Sequence, residues 1–325
     1  MINKFVGTEV LTKKMRKFIS EKSIAELKSD FARLLDQHKK KMLDVVGVKL
    51  VLSEYVLGYT GKRYTLNPEE IVLYRARINK DKEGSPVDFF THTDQLGAPP
   101  KKDARKGRCN NAEESILYCS DHPITCLAEL RGMKENDFIT IIIYEIRKDR
   151  KLEPVSFVGV DILKENDSPL QNLIKDFYGD LKIDSDFEKI KLIDDLMANE
   201  FRLEMDEEGN HHIYNATIAW RQLCFEYSKS NCLIYPSASS LLKTANYALD
   251  TIFANEILVP TEAHRYKIME IRNGVDFTIA RDNEAALNGF GDINWKTIQP
   301  PIIEYITHRR LTGDPFKMKP RLVGS

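Results

Sequence analysis

The chain has 325 residues, with 48 Lys and Arg against 49 Asp and Glu, a formal net charge of -1 and a pI near 6.7. At 42% hydrophobic and 30% charged residues it reads as a globular chain, and it excludes disordered, collagenous and coiled-coil classes. Near-neutral charge disfavours sequence-independent nucleic-acid binding, which needs a net basic surface, but leaves room for a local basic site for one small phosphorylated ligand. The length suits about two domains, or one with extra lobes. Cysteines stand at 109, 119, 126, 224 and 232. An odd count without a CxxC pair fits neither a secreted disulfide framework nor a zinc ribbon, and buried reduced thiols are expected. The N-terminal sequence lacks a signal-peptide stretch, and no apolar run approaches the ~18 residues of a membrane span. The expectation is a cytoplasmic protein with no membrane partner.

Residues 1–60 read as a helical lobe. Ile24, Leu27, Phe31, Leu34 and Leu35 recur at helical spacing, and Ser23 is the expected N-cap. The run Lys39-Lys40-Lys41 is a solvated helix end or a basic docking patch. Gly58, Gly61 and Pro68 mark a domain boundary.

Glu70 to Arg77 (EIVLYRAR) reads as a strand. A polar loop follows from Asn79 to about Gly107, and loops this long in compact domains are often functional or mobile. Ser115 to Ser120 reads as a second strand. Asp121-His122-Pro123 then opens a helix, with Asp121 as N-cap, running to about Arg131 and stopped by Gly132. Phe138 to Ile146, apolar on both faces, is the candidate central strand. Residues 150–215 read as a charged, mostly helical insertion. Asn215 to Ser228 is an amphipathic helix, Asn231 to Ser237 a strand, and Thr244 to Glu256 another helix. The tail from Phe277 is mixed. Interspersed strands and helices make the class α/β or α+β.

Common catalytic motifs are absent: there is no Walker A loop, GxGxxG, GxSxG or HExxH. The pair His211-His212 diverges on an extended backbone and is not expected to share a metal. Asp194-Asp195 reads as a solvated helix face. Four positions stand out. Arg75 shares a strand face with Ile71 and Leu73. Tyr118 lies in the second strand. Glu129 sits on an apolar-flanked side of its helix, where an ionised carboxylate is costly unless paired. Ser237 ends the third strand behind Pro236. Each also has a structural reading: ion-pair partner, core aromatic, surface bridge and turn residue.

These positions fall in fragments that resemble the RES domain family. Leu73-Tyr74-Arg75-Ala76 looks like its first motif. Gly107-Arg108-Cys109-Asn110-Asn111 with Ile116-Leu117-Tyr118-Cys119-Ser120 resembles "GRFN … LYxA". Thr125 to Glu129 is similar to "TALAE", Leu233 to Ser237 to "IIYPS", and Thr244-Ala245-Asn246 to the Asn-containing segment after it. The resemblance covers roughly residues 68–262, with an insertion near 150–215, and leaves 1–60 and a C-terminal extension, 263–325, outside. Two positions depart: Cys109 replaces an aromatic, and Ser239 replaces an Arg.

The resemblance implies an α+β, ADP-ribosyltransferase-like mixed sheet with flanking helices and an N-terminal helical lobe. It implies an NAD-degrading enzyme, hydrolytic or phosphorolytic, acting as a bacterial toxin or defence effector opposed by an Xre-type antitoxin. NAD is then a substrate, with no prosthetic group and no metal. The alternatives are a protein ADP-ribosyltransferase and a degenerate domain that binds a nucleotide or partner. Arg75, Glu129 and Ser237 are the expected catalytic residues: Arg75 grips the pyrophosphate or ribose, Glu129 stabilises charge at the anomeric carbon, and Ser237 fixes the ribose or carboxamide. Arg108 is a second phosphate candidate and Tyr118 a stacking platform for nicotinamide, with Tyr74 and Asn246 as further pocket candidates. For residues 1–60 the open roles are antitoxin docking, a homo-oligomer contact and bracing of the catalytic domain.

Overall fold

The doubly apolar run Phe138–Ile146 can lie only where both faces are covered, and in the computed structural model it pairs with a strand on each side. Residues 20–40, 42–59, 64–66, 71–163, 170, 186–203, 211–238, 244–272 and 276–307 are described. Lys41, Gly61, Pro68, Glu70 and Ser239 lie outside them, so the Lys39–Lys41 and Gly58–Pro68 readings are only partly covered.

The chain is mixed α+β. Its strands are β1 (Tyr64–Leu66), β2 (Val72–Ile78), β3 (Ile116–Ser120), β4 (Phe138–Ile146), β5 (Leu152–Phe157), β6 (Cys232–Pro236), β7 (Ala245–Asp250), β8 (Leu258–Arg272), β9 (Asp276–Ala286) and β10 (Lys296–Thr307). They form one sheet in the order β1-β5-β6-β7-β3-β2-β4-β8-β9-β10. Only β5 and β6 pair in parallel among the described strands.

The helices are α1 (Ile24–Lys39), α2 (Val45–Tyr59), α3 (Pro123–Ala128), α4 (Val160–Leu163), α5 (Phe187–Arg202), α6 (Asn215–Tyr227) and α7 (Thr251–Ile257). Ser23 caps α1 in a reciprocal capping box with Glu26. Leu27, Phe31 and Leu34 of α1 and Val48, Leu52 and Tyr55 of α2 share one core with Ile193, Met197 and Phe201 of α5 and Trp220 and Leu223 of α6. The N-terminal lobe and the helical part of the insertion are therefore one layer, seated on Ile116, Leu233, Tyr235 and Ala248 of the sheet. Among the described residues, no helix is long and apolar enough to cross a membrane.

Several expectations are corrected. Residues 150–215 contribute a strand, β5, as well as helices. The expected helix over Thr244–Glu256 is β7 followed by the short α7: Ala245–Leu249 are buried between β6 and β3, and Asp250 caps α7 by accepting from Ile252 N and Phe253 N. Strand β8 runs through residues 262–263, and β9 and β10 extend the same sheet. Asp194 is buried instead of solvated, and its oxygens accept from Gly159 N at 2.8 Å and Val160 N at 2.7 Å. The five cysteines, by contrast, are free and buried as expected.

Candidate functional site

Strands β2 and β4 are paired from Val72 to Ile78, and β3 and β7 from Ile116 to Ser120, yet β2 and β3 share a single register pair, Tyr74 with Ser120. Beyond it the sheet opens. Arg75 spans the opening: its Nε donates to Leu96 O at 2.9 Å and its Nη1 to Tyr118 O at 3.0 Å. A cleft of ≈ 1410 Å³ occupies this gap, lined by Arg75, Tyr118, Ser120, Glu129, Tyr235 and Asn246 among others. The long loop after Asn79 supplies much of its wall, including Phe90, Gln95, Pro99 and Lys106. Arg265 braces that loop. Its guanidinium holds both oxygens of Asp282 at 3.0 and 2.8 Å, donates to Asp88 O at 2.9 Å, and lies 3.8 Å from the Phe89 ring centroid and 4.3 Å from that of Phe138.

Glu129 owes its place to an early helix stop. Helix α3 ends at Ala128, not Arg131, and Glu129 is its C-cap. The N-cap is His122, whose Nδ1 accepts from Ile124 N at 3.2 Å; burial lowers its pKa, favouring the neutral ring this bond requires. The expected cap, Asp121, instead accepts from Ala245 N at 3.0 Å. Thr125 of α3 is hydrogen-bonded to Thr244 at 2.6 Å, tying the helix to the start of β7. This sets Glu129 over the ends of β6 and β7. Ser237 Oγ donates to Glu129 Oε1 at 2.7 Å, and Asn246 Nδ2 donates to the same oxygen at 2.9 Å. No described residue bonds to Oε2, so one carboxylate oxygen is fixed and the other is left for a ligand.

Tyr118 organises the adjoining turn. Its hydroxyl donates to Asn110 Oδ1 at 2.7 Å and accepts from Cys109 N at 2.8 Å. Asn110 Nδ2 donates to Arg105 O and Asn111 O at 2.8 and 2.7 Å. From α6, Thr217 Oγ1 donates to Arg108 O at 2.5 Å, and Arg221 donates from Nε to Cys109 O at 2.8 Å. The Cys109 side chain is fully buried in the helical core, and burial pushes its thiol up to about 12. Cys109 therefore packs in the helical core and is not part of the cleft wall.

The opposite wall comes from the helical layer. Arg108, 9% exposed, donates through Nη1 to Phe201 O at 2.5 Å and Leu203 O at 3.0 Å, at the C-terminus of α5. A cation suits the negative end of a helix. Its guanidinium carbon also lies 5.1 Å from the Tyr214 ring centroid. Arg131 Nη2 donates to Tyr214 Oη at 3.3 Å, and Lys106 Nζ to Asn215 Oδ1 at 2.6 Å.

The inner charges are mostly basic: Arg75, Arg77, Lys80, Lys106 and Arg108 line the cleft in buried or half-buried positions, whereas its exposed rim carries both signs, with Asp81, Glu83, Asp94, Asp103 and Glu113 beside Lys82, Lys102, Arg105 and Arg131. Glu129 is the acidic lining residue withdrawn from solvent. The Arg77 pKa is lowered by burial first and by Arg75 second. Such a cleft attracts an anion and offers one carboxylate inside it.

The structure brings together Arg75, Arg108, Tyr118, Glu129 and Asn246 at the cleft, with Ser237 attached through Glu129. Tyr74 is not there. Side chains alternate along a strand, so it lies on the face opposite Arg75, packed with Ala76, Ile78, Leu127 and Tyr266, and Cys126 Sγ donates to its carbonyl at 2.9 Å from α3 above it. Sequence reasoning missed Tyr214, Tyr235, Lys106 and Arg131. Tyr235 stood in a quoted fragment, two residues before Ser237. The other three meet only through packing of the helical layer. Among the described residues, no group of three or more His, Cys, Asp and Glu side chains is placed to hold a metal ion.

Against known proteins, no family model, no curated protein and no solved structure matches the chain.

Proposed function

We propose that this chain cleaves the nicotinamide–ribose bond of NAD, with water or phosphate as acceptor, on an ADP-ribosyltransferase-like core. The observation that carries the reading is the cradled carboxylate. Glu129 has one oxygen held by Ser237 and Asn246, in a cleft whose other inner charges are cationic. A dinucleotide needs both features: cations for its diphosphate, and one oriented negative charge beside the carbon that becomes electron-poor.

The nicotinamide nitrogen of NAD is already positive. When the C–N bond breaks, its electron pair goes to that nitrogen and neutralises it, so no strong general acid is required. Glu129 stabilises the oxocarbenium-like carbon through Oε2. The acceptor oxygen then bonds to that carbon, and a water acceptor loses its proton to solvent. Tyr118 supplies a ring against which the nicotinamide stacks. Arg75 has a narrower role than a two-pronged grip: Nε and Nη1 hold the cleft walls, and Nη2 remains for a ligand oxygen.

The test is nicotinamide release from NAD by the purified full-length chain, with products resolved in the presence and absence of phosphate. Glu129→Gln is expected to lower the rate by roughly 10²-fold or more. No release by the unaltered chain, or an undiminished rate in Glu129→Gln, overturns the proposal. Label from NAD retained on a polypeptide would redirect it to protein ADP-ribosylation.

A further inference from the structure

Beside the Glu129 cradle, the cleft holds three cations whose charge no acidic side chain among the described residues balances. Lys106 Nζ is bonded to the neutral Asn215, Arg131 to the Tyr214 hydroxyl, and Arg108 to two backbone carbonyls and the Tyr214 ring. None of the three forms an ion pair among the described residues. Tyr214 is the hub, with Arg108 over its ring, Arg131 on its hydroxyl and Lys106 held by the next residue. Each cation keeps donors with no described partner: two N–H of Lys106, and Nε together with one terminal nitrogen in each arginine. Lys106 is half-buried, and burial lowers its pKa. Lys106 and Arg108 are like charges gathered in a partly desolvated place, with Arg131 at its exposed edge; their repulsion raises the energy of the empty site, and an anion reverses the sign of that effect.

We infer that Lys106, Arg108, Arg131 and Tyr214 form a binding subsite for phosphoryl oxygens on the helical wall of the cleft. It recognises a phosphate group by charge-assisted hydrogen bonds from three directions, and the Tyr214 ring holds Arg108 in plane for it. The subsite does not depend on turnover of NAD. Its components come from three separate parts of the chain, and the helical layer completes it by supplying Tyr214 and Asn215.

Binding of orthophosphate, pyrophosphate and ADP to the full-length chain, measured by calorimetry with adenosine as the uncharged control, tests this. The variants are Arg131→Gln, Lys106→Gln and, as an exposed charge-loss control outside the cleft, Lys148→Gln. Arg131 is exposed, so its variant keeps the fold, and the unliganded melting temperature verifies this for all three. Pyrophosphate or ADP is expected to bind, and Arg131→Gln and Lys106→Gln to weaken it by about tenfold or more each, the loss of one charge-assisted bond, with Lys148→Gln unchanged. Orthophosphate binding as well as ADP marks a site for the free ion, whereas ADP without orthophosphate marks a site for a nucleotide-borne phosphate. No binding of any anion, or binding unaltered in both cleft variants, overturns the inference. Anion binding lost in the variants while NAD stays intact would sink the NAD reading and leave this one standing. NAD cleavage with unaltered anion binding would do the reverse.

Discussion

Gly107→Ala tests the turn that carries one wall of the cleft. Gly107 does not occupy the left-handed region, so its backbone would accept alanine. With nothing in the way, the substitution would stabilise by about 0.4–1 kcal/mol through the unfolded state. The added methyl, however, would sit 2.6 Å from Asn110 Oδ1 and 3.1 Å from Tyr118 Oη. Ordinary contact begins near 3.4 Å, so Asn110 must retreat by about 0.8 Å. It has no slack: Oδ1 accepts from Tyr118 at 2.7 Å, and Nδ2 holds two carbonyls. Loss of the Tyr118 bond in a part-buried place costs about 1–3 kcal/mol. The net expectation is a loss of about 1–2 kcal/mol, read as a lower denaturation midpoint at constant slope. The decisive measurement is the same substitution in an Asn110→Ala background. There the obstructing atom is gone, and Gly107→Ala should be neutral or slightly stabilising. If it costs the same in both backgrounds, the clash is not the cause and the reasoning fails.

Other consequences follow from the same geometry. Ser237→Ala and Asn246→Ala each remove a bond of about 1.5–3 kcal/mol to a carboxylate, so each should lower nicotinamide turnover by roughly 10- to 150-fold in kcat with a smaller change in KM; because both act on Oε1, the double variant should fall short of the product of the single effects, and strict multiplicativity would count against a shared cradle. Burial raises the Asp121 pKa to about 7 from an ordinary 3.8. The folded state therefore holds a proton that the unfolded state releases, so Asp121's contribution is intact below pH ~4 and is lost as pH rises to ~7, by a few kcal/mol. Asp121→Asn should remove that fall, which denaturation at pH 4, 5.5 and 7.5 would reveal; parallel curves for both proteins would refute it. Arg265→Lys keeps the charge but loses the bidentate bond and the Phe89 and Phe138 contacts, so a loss of about 2 kcal/mol and faster proteolysis within residues 80–107 are expected. The buried thiols of Cys109, Cys119 and Cys224 are pushed up to about 12, and all five cysteines should resist alkylation at neutral pH until the chain is unfolded.

Some local signals are plain in the sequence. The Ser23–Glu26 box lies within four residues, and Phe138–Ile146 announces its burial by having no polar face. Thr244–Glu256 misled because Ala245, Tyr247, Ala248 and Leu249 are apolar on two faces of either element; pairing on both sides decides for a strand. Strands β8 to β10 were hidden for another reason. Segments such as Asp276–Ala286 carry Asp, Asn, Glu and Ala, which have poor strand propensity, and only their cross-strand partners hold them extended. Tyr74 and Arg75 were adjacent candidates, but the period of two allows only one of them to face the opening.

Glu129 could be suspected from its own neighbourhood, because a carboxylate on an apolar-flanked helix side requires a partner. Its partners could not be named that way, since Ser237 is 108 residues away and Asn246 is 117. The same distance effect explains how a chain of net charge -1 builds a cation-lined interior. Acids and bases are nearly equal in number along the sequence, and folding leaves both signs at the rim while placing bases, with Glu129, inside the cleft. A total charge is blind to that sorting. Arg75 shows its structural side: the guanidinium replaces the missing ladder between β2 and β3 before it meets any ligand. A residue that holds the cleft open is therefore also the one placed to touch what enters, and loss of function on removing it reports both roles at once. Only variants that leave the opening intact, such as those at Ser237 and Asn246, separate the chemistry of the carboxylate from the architecture around it.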